Sequence, residues 1–497
     1  MSVVHSAGFE KRRQVRRRFR WAEPAGEEKL CLRGDWRERF ARLLPAEVLR
    51  EIAGRCGALD VRCRKVTCVI FFWAAVLALS KAEAVTLSSV AREVGVAGVL
   101  AGLDSQWHGV SRQTISENLA CRPWTFFAAV FKYLVSSYVA HAAGPVAGLG
   151  AMQQLDIFLV DSTMIRLAES LASAFATYPT PKSSHWAAAQ AHVRLDVLGG
   201  FPEVLNLTNV KADELDSTFL CEPRVAALYI FDLGYWCYAL LDDIIDRQQH
   251  FVSRLKASAN PLIKDVRLGE GQWKWHRLKE IQLAGSEVDL TVNLTCAKAT
   301  AKQRRGARRS LSERRALQVH RGSVYMQHDV RLVGYWSVAH QRWFFYVTSL
   351  THSDTYPVSL ICDLYRLRWQ VEIFFRNLKG VLGLRRFVSR SENGIRIQLY
   401  AAIICYILTR LVVLQAASET GRPSEDFSMP YCLAIVRHLL SDLTIPLLMT
   451  KSDLNCEPLE RILVSAVIAQ GLRPNRTRPA LLTSIRQSLP QPSLSLS

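Results

Sequence analysis

The sequence predicts an α/β protein: a core of mixed strands and helices, interrupted by a mainly β insertion, with helical regions on its N-terminal and C-terminal sides. Three observations predict it. Apolar residues recur at three- and four-residue spacings in 36–140, as in Phe40, Leu43, Leu44, Val48, Leu49 and Ile52, which is a helical period. From 155 the texture changes to continuous apolar runs at 157–160 and 227–231, the pattern of strands buried on both faces. Between 262 and 347 short segments such as EVDLTVNLTC and WSVAHQRWFFYVTS alternate apolar and polar residues, as half-buried strands do.

The chain has 497 residues, enough for roughly three domains at about 150 residues each. We divide it into a basic arm (1–35), a helical domain (36–145), the first part of the core (150–260), the β insertion (261–347), the second part of the core (348–415), a helical C-terminal region (416–475) and a Ser/Pro-rich tail (476–497) expected to be disordered.

With 49% apolar residues, disorder over the whole length is excluded. Lys and Arg number 63 against 44 Asp and Glu, a formal charge of +19. That excess is local. Residues 1–20 hold seven basic residues and one acid, 298–321 nine and one, and 471–497 four Arg and no acid, which leaves the remainder almost neutral. Concentrated positive patches are the electrostatic footprint of a polyanion, nucleic acid first and acidic membrane second. The twelve Cys show no recurring zinc spacing, the closest set being Cys56, Cys63 and Cys68, and read as reduced thiols. The basic N-terminus is followed by no apolar segment with a cleavage site, so no secretory signal is expected and the protein is read as cytoplasmic. Of the two most apolar runs, 68–79 is too short to span a bilayer and 399–409 is closed by Arg410; both read as buried helices, with no membrane partner.

In chain order, 86–96 and 110–120 have the flavour of a helical DNA-binding unit, with Ser111 as an N-cap. The stretch between them is longer than the three or four residues of a helix-turn-helix, so an ordinary helical bundle fits equally well. The run 157–160 ends on Asp161. Segments 191–198 and 202–209 flank Gly199-Gly200 and read as a hairpin. A second buried strand, 227–231, ends on Asp232; a helix follows at 239–249 and a strand at 250–256. The insertion carries the basic run 302–315. Beyond it lie a helix at 361–379, an apolar helix near 395–415 and a Pro-containing helical region.

Two carboxylates at the same ends of two strands converge if the strands are parallel neighbours, and a helix packed across that end would add Glu372. Three oxygen donors suit Mg²⁺ or Mn²⁺, and a pair of such ions about 3.5 to 4 Å apart can drive phosphodiester cleavage. The bland reading of each Asp is a turn or cap at a strand end. The helix says more. Tyr365, Arg368, Glu372 and Lys379 fall within an arc of about 60° on a helix of 3.6 residues per turn, beside an apolar stripe of Leu364, Leu367, Val371, Phe374, Phe375 and Leu378. An acid flanked by cations and a phenol suits work on a nucleic acid backbone; a surface i, i+4 ion pair of Arg368 with Glu372 is the alternative.

The spacing Y-x2-R-x3-E-x6-K, filled by Tyr365, Arg368, Glu372 and Lys379, resembles the signature of the IS4-type insertion-sequence transposases, DDE enzymes built on an RNase H-like core. The flanking blocks agree: LVDST at 159–163 is similar to the first-Asp strand of that family, and FDLGYW at 231–236, followed by FVSRLK, to its second-Asp block. The acids are 71 and 140 residues apart, leaving room for the family's β insertion. The motifs cover about 155–390.

The resemblance implies that Asp161, Asp232 and Glu372 hold two Mg²⁺ or Mn²⁺ ions. It also implies that Tyr365, Arg368 and Lys379, with Arg254, position DNA phosphates, and that Trp343 in the insertion contacts DNA. The expected protein is then a DNA transposase of the bacterial cytoplasm, associated with the nucleoid. It would bind inverted terminal repeats as a homodimer, cut double-stranded DNA and join the 3′ ends to target DNA. Phosphate contacts from the arm and from 302–315 would supply salt-sensitive affinity, with base reading left to 36–145. A catalytically silent, transposase-derived DNA-binding protein is the alternative, and a structure-selective nuclease on the same core a third reading.

Overall fold

The apolar runs beyond residue 155 pair into one sheet. Its strands are β1 (Asp156–Leu167), β2 (Ala187–Asp196), β3 (Pro202–Asn209), β4 (Ala227–Phe231) and β5 (His250–Arg254), followed by β6 (Leu262–Leu268), β7 (Glu287–Asn293), β8 (Val330–Ser337) and β9 (Arg342–Thr348). Their spatial order is β3-β2-β1-β4-β5-β9-β8-β7-β6. This computed structural model describes residues 44–60, 66–79, 85–100, 110–139, 155–175, 187–197, 199–209, 227–294, 326–384, 386–439 and 457–473. The basic arm, the basic run 302–315 and the tail lie outside the described residues.

β1, β2 and β3 form an antiparallel meander, while β4 lies parallel to β1 and β5 parallel to β4. The expected hairpin turns at Gly199-Gly200: Gly200 has φ +68°, a conformation open to glycine at no steric cost, and a Cβ there would come 2.9 Å from Arg410 Nε. Alternation of side chains across β1 divides the interior in two. Ile157 and Leu159 join the helices on one face. Phe158 and Val160 join a second core on the other face, which includes Val288, Leu290 and Leu332 of the insertion.

The insertion extends the core sheet instead of forming a layer of its own. β9 pairs antiparallel with β5 through Val252↔Thr348 and Arg254↔Tyr346, so the open edge of β5 is covered by β9. Arg331 fastens the join. Its guanidinium donates to both carboxylate oxygens of Asp289 at 2.9 and 2.7 Å and to the carbonyls of Leu350 and Tyr356 at 3.2 and 2.7 Å, a fork geometry that satisfies a fully buried charge.

On the N-terminal side stand α1 (Ala46–Arg55), α2 (Cys68–Ala78), α3 (Leu87–Leu100), α4 (Arg112–Cys121) and α5 (Trp124–Leu134). Ser111 caps α4, its hydroxyl accepting from Thr114 N at 3.1 Å, as the sequence predicts. The segment between α3 and 110 lies outside the described residues. α6 (Tyr238–Asp246) lies between β4 and β5, and after the sheet come α7 (Val358–Arg366), α8 (Trp369–Gly380), α9 (Glu392–Thr420), α10 (Met429–Leu439) and α11 (Glu457–Gln470).

α9 is the axis of the helical side. The sequence places it near 395–415, and it runs a little further at both ends, from Glu392 to Thr420, where Gly421 takes the left-handed conformation at φ +65° that ends many helices. Arg410 does not break it because its head is satisfied: Nε donates to Gly199 O at 2.6 Å and Nη2 to Ser424 Oγ at 2.9 Å. By length and composition α9 could cross a membrane, yet 89% of its most apolar stretch is buried within the protein, which is the reading the sequence favours. Asn393 ties its first turn to the N-terminal helices, accepting from Trp124 N and donating to the carbonyls of Leu119 and Arg122.

The single helix expected at 361–379 is two. α7 begins at Val358, behind Pro357, and ends at Arg366; α8 begins at Trp369. Leu367 and Arg368 keep helical dihedrals, but Arg368 N bonds to Tyr365 O, Gln370 N to Leu367 O and Val371 N to Arg368 O. These i to i−3 bonds make a tight 3₁₀ turn, a feature that often marks a functional hinge.

Candidate active site

The first two acids meet because β4 stops where β1 continues. Pairing of β1 with β4 ends at Val160↔Phe231, so Asp161 and Asp232 are the next residues at the same level of two parallel strands. Asp161 is not at a strand end, as the apolar run suggested. β1 goes on to Leu167, held there by β2 through Asp161↔Val193 and the pairs that follow, and the end of β4 leaves Asp161 open on that flank. Its side chain is 18% exposed, and Oδ1 accepts from Ser162 N at 2.8 Å. Burial pushes the Asp161 carboxyl up to about 6. The Ser162 N–H and Arg368 pull against that rise, while the neighbouring charges of Asp232 and Glu372 add to it.

The tight turn between α7 and α8 brings the remaining groups. The Tyr365 hydroxyl donates to Asp232 Oδ1 at 3.3 Å; burial, and then Asp232, push the phenol up to about 12, so it stays a protonated donor. Arg368 Nη2 pairs with Glu372 Oε1 at 2.7 Å and Nη1 lies 3.6 Å from Asp161 Oδ2. Burial works against the guanidinium's charge, but Asp232, Tyr365 and Glu372 together hold its pKa above the ordinary value. Lys379 Nζ donates to Thr163 Oγ1 at 2.6 Å, and Thr163 lies on the same face of β1 as Asp161, two residues on. Thr163 escaped the sequence reading; its signal was that two-residue offset from the first acid.

The i, i+4 pair of Arg368 with Glu372 therefore exists, and it exists inside the constellation. The donors are the right kind for a hard divalent cation: three carboxylates, one of them buried beside the other two. Among the described residues, however, no group of three or more His, Cys, Asp or Glu side chains is close enough to hold an ion as it stands. The positive charge between Asp161 and Glu372 is that of Arg368.

Arg254 and Trp343 part company. Arg254, at the end of β5, sits 5.6 Å over the Phe344 ring, and its charge acts on the Tyr365 phenol, so the structure brings it to the site. Trp343 is not brought there. Its ring lies 6.0 Å from Trp336 and stacks 5.9 Å from Phe345, on the face of β9 opposite Phe344 and Tyr346. Tyr346 packs 4.8 Å from Tyr365. Phe344 lies on the side of the acids with Tyr346, flanked by Arg254, by Arg342 at 4.6 Å and by Tyr335 stacked at 5.4 Å. The alternation in WFFY holds this information once one residue of the run is assigned to a face.

All of these acids lie within residues 152–408, which match the family described as the transposase DDE domain. The chain belongs to the DDE transposase family. Its relatives are transposases of insertion sequences, IS4-like members among them. The putative transposase y4zB of Sinorhizobium fredii is 30% identical over 259 residues, 50% of this chain and 60% of that protein. The probable transposase of IS5377 from Geobacillus stearothermophilus is 27% identical over 194 residues, 38% of this chain and 40% of that protein. The transposase of IS231E from Bacillus thuringiensis is 24% identical over 348 residues, 62% of this chain and 68% of that protein. The chain thus spans between 40% and 68% of these relatives' lengths. A piggyBac transposase synaptic complex with hairpin DNA has 9% identity and a TM-score of 0.40 over 85% of this chain and 78% of that one, too low to bear on fold or mechanism. Tyr365, Arg368 and Lys379 also fall within the matched residues of this DDE transposase.

Proposed function

We propose that the protein is a DNA transposase of an insertion sequence that binds the inverted terminal repeats, cleaves the DNA and transfers the 3′ ends to target DNA by cut and paste. The observation that carries this reading is the convergence of Asp161 and Asp232, on neighbouring parallel strands, with Glu372 on a helix packed across them. The meander β1 to β3 with parallel β4 and β5 is read as an RNase H-like core, interrupted by the β insertion.

Asp161, Asp232 and Glu372 would hold two Mg²⁺ or Mn²⁺ ions, whose Lewis acidity, when they are bound, serves phosphodiester hydrolysis and transfer. The chain's own residues do the positioning. Tyr365 orients the Asp232 carboxylate through its hydroxyl. Lys379, Arg368 and Arg254 offer cations to backbone phosphates beside the acids. Trp343 packs against the second core on the face of β9 away from the acids, so Phe344 is the better placed aromatic. The basic arm and the run 302–315 would add salt-sensitive grip on duplex DNA. Two transposon ends imply two copies of the chain, a homodimer in the DNA complex, working in the bacterial cytoplasm at the nucleoid.

One observation favours the catalytically silent, DNA-binding alternative: Arg368 already neutralises two of the acids. Cleavage of labelled duplexes carrying the element's flanking DNA, with Mg²⁺ or Mn²⁺, separates the two. Metal-dependent cutting by the wild type that disappears in Glu372→Gln, with end binding retained, is the expected result; binding without cutting by the wild type would favour the silent relative.

A further inference from the structure

Arg368 differs from Lys379 and Arg254 in that its guanidinium faces the acids. Its side chain is 14% exposed. One terminal nitrogen is 2.7 Å from Glu372 and the other 3.6 Å from Asp161. The rings of Tyr365 and Trp369 flank the guanidinium at 5.9 and 5.8 Å. Its Nε is buried with no hydrogen-bond partner among the described residues, although a buried donor left unmade is costly. The residue also sits in the tight turn between α7 and α8, where the N–H groups of Arg368, Gln370 and Val371 bond to carbonyls three residues back.

These facts have a common explanation. Two carboxylates drawn together on β1 and α8 repel unless a cation lies between them, and in this conformation the cation is a side chain. An arginine chosen only to hold Glu372 would be expected to use its fork on that carboxylate with both nitrogens. Here the fork is split between two acids and one donor is left over. Resting on the functional reading above, we propose that Arg368 is a placeholder counter-ion: it occupies the charge position between Asp161 and Glu372 in the metal-free protein, and a divalent cation must displace it to bind. Displacement frees the whole guanidinium, Nε included, for an acceptor with several oxygens, and a DNA phosphate is such an acceptor. Arg368 is on this view a positioning residue with two alternating partners. Carboxylates first and phosphate second couple metal entry to substrate grip. The hinge is the element that lets the side chain move without unwinding α8.

The test is Mn²⁺ binding to the full chain without DNA, read from the electron paramagnetic resonance signal of free Mn²⁺, for wild type, Arg368→Gln, Arg368→Met, Arg368→Lys and Glu372→Gln. Removing the competing cation should tighten Mn²⁺ binding by about tenfold in both neutral variants, the scale of one charge-assisted hydrogen bond, with Arg368→Lys near wild type. The gain should vanish in Arg368→Gln combined with Glu372→Gln. A misfolded variant cannot produce tighter, Glu372-dependent binding. In the wild type, the ¹⁵Nε resonance of Arg368, assigned with the Lys variant, should shift on adding Mg²⁺. Unchanged or weaker binding in both neutral variants, with binding still lost in Glu372→Gln, would overturn the placeholder and leave the functional reading standing. Binding indifferent to Glu372 in every background would overturn both.

Discussion

The Tyr365 hydroxyl meets the Asp232 carboxylate at 3.3 Å across 133 residues of sequence. A helix end and a strand end are joined at the level where β4 stops, and the joint is a hydrogen bond from a phenol that burial keeps protonated. The bond restricts the rotation of the second acid and costs the site no charge, which a lysine or arginine in the same place would add.

Tyr365→Phe should therefore lower metal-dependent DNA cleavage by about tenfold, the value of one hydrogen bond to a charged acceptor. Its melting temperature should stay within about 2 °C of wild type, since the ring packing on Tyr346 survives. Cleavage rates and thermal melts measured side by side check this. An unchanged rate would mean that Asp232 is oriented by something else.

Lys379 bonds to a threonine beside the first acid and has the charge for a phosphate. Lys379→Ala should weaken duplex binding equally for specific and random sequences. It should also make the plot of log affinity against log salt shallower by about 0.9, the loss of one counterion released per phosphate contact. Fluorescence anisotropy at several salt concentrations reads both, and an unaltered slope would remove Lys379 from the DNA path.

His192 is buried in β2, with Nδ1 3.3 Å from the Tyr235 hydroxyl and Nε2 2.8 Å from Thr208 Oγ1. Burial lowers its pKa to about 4, below the value near 6.5 of an unfolded chain. The folded state therefore keeps the neutral ring. Its stability contribution is complete above pH 6.5 and is lost as pH falls from 6.5 through 4, because the unfolded chain takes up the proton first. Over that window stability should fall by roughly 2 to 3 kcal/mol on this account, and His192→Gln should flatten the fall. Urea midpoints from pH 4 to 8 provide the comparison.

Arg122 is wholly buried, donating to Ala58 O at 2.8 Å and to Asn118 Oδ1 at 3.0 and 3.2 Å, with Asp60 at 3.2 Å. Burial lowers its pKa, and Asp60 works against that. Arg122→Met would remove this donor from Asp60, from Asn118 and from the Ala58 carbonyl and should destabilise the protein by about 3 to 5 kcal/mol. The loss should appear in urea denaturation as a lower midpoint. Asp60→Asn should cost less, because the guanidinium retains Asn118 and the carbonyl.

Much of the site could be read in the chain. Tyr365, Arg368, Glu372 and Lys379 share one side because their offsets match the helical period, and a tight turn at Arg368 does not undo it. Asp161 and Asp232 were legible as residues that follow buried apolar runs; their adjacency needed the parallel pairing of β1 with β4. The helical ends, the hairpin at Gly199-Gly200 and the Ser111 cap all follow from local chemistry. How α9 carries Arg410 in its buried stretch did not, since the head is satisfied by a carbonyl and a hydroxyl that lie outside the helix.

The sequence by itself determined which groups are available: three acids, a phenol and a set of cations at spacings that local backbone geometry converts into shared faces. Only the tertiary structure decided what those groups face. Trp343 and Phe344 are neighbours in sequence and lie on opposite sides of β9 because pairing with β5 and β8 sets the parity of the strand. The insertion joins the core because β5 offers an edge that β9 completes. Arg368 lies between two acids from distant elements because burial of β1 and α8 against each other brings like charges together. Spacing along a chain specifies an orientation about a local axis; the field a side chain meets comes from elements packed against it, and that packing is a property of the whole fold.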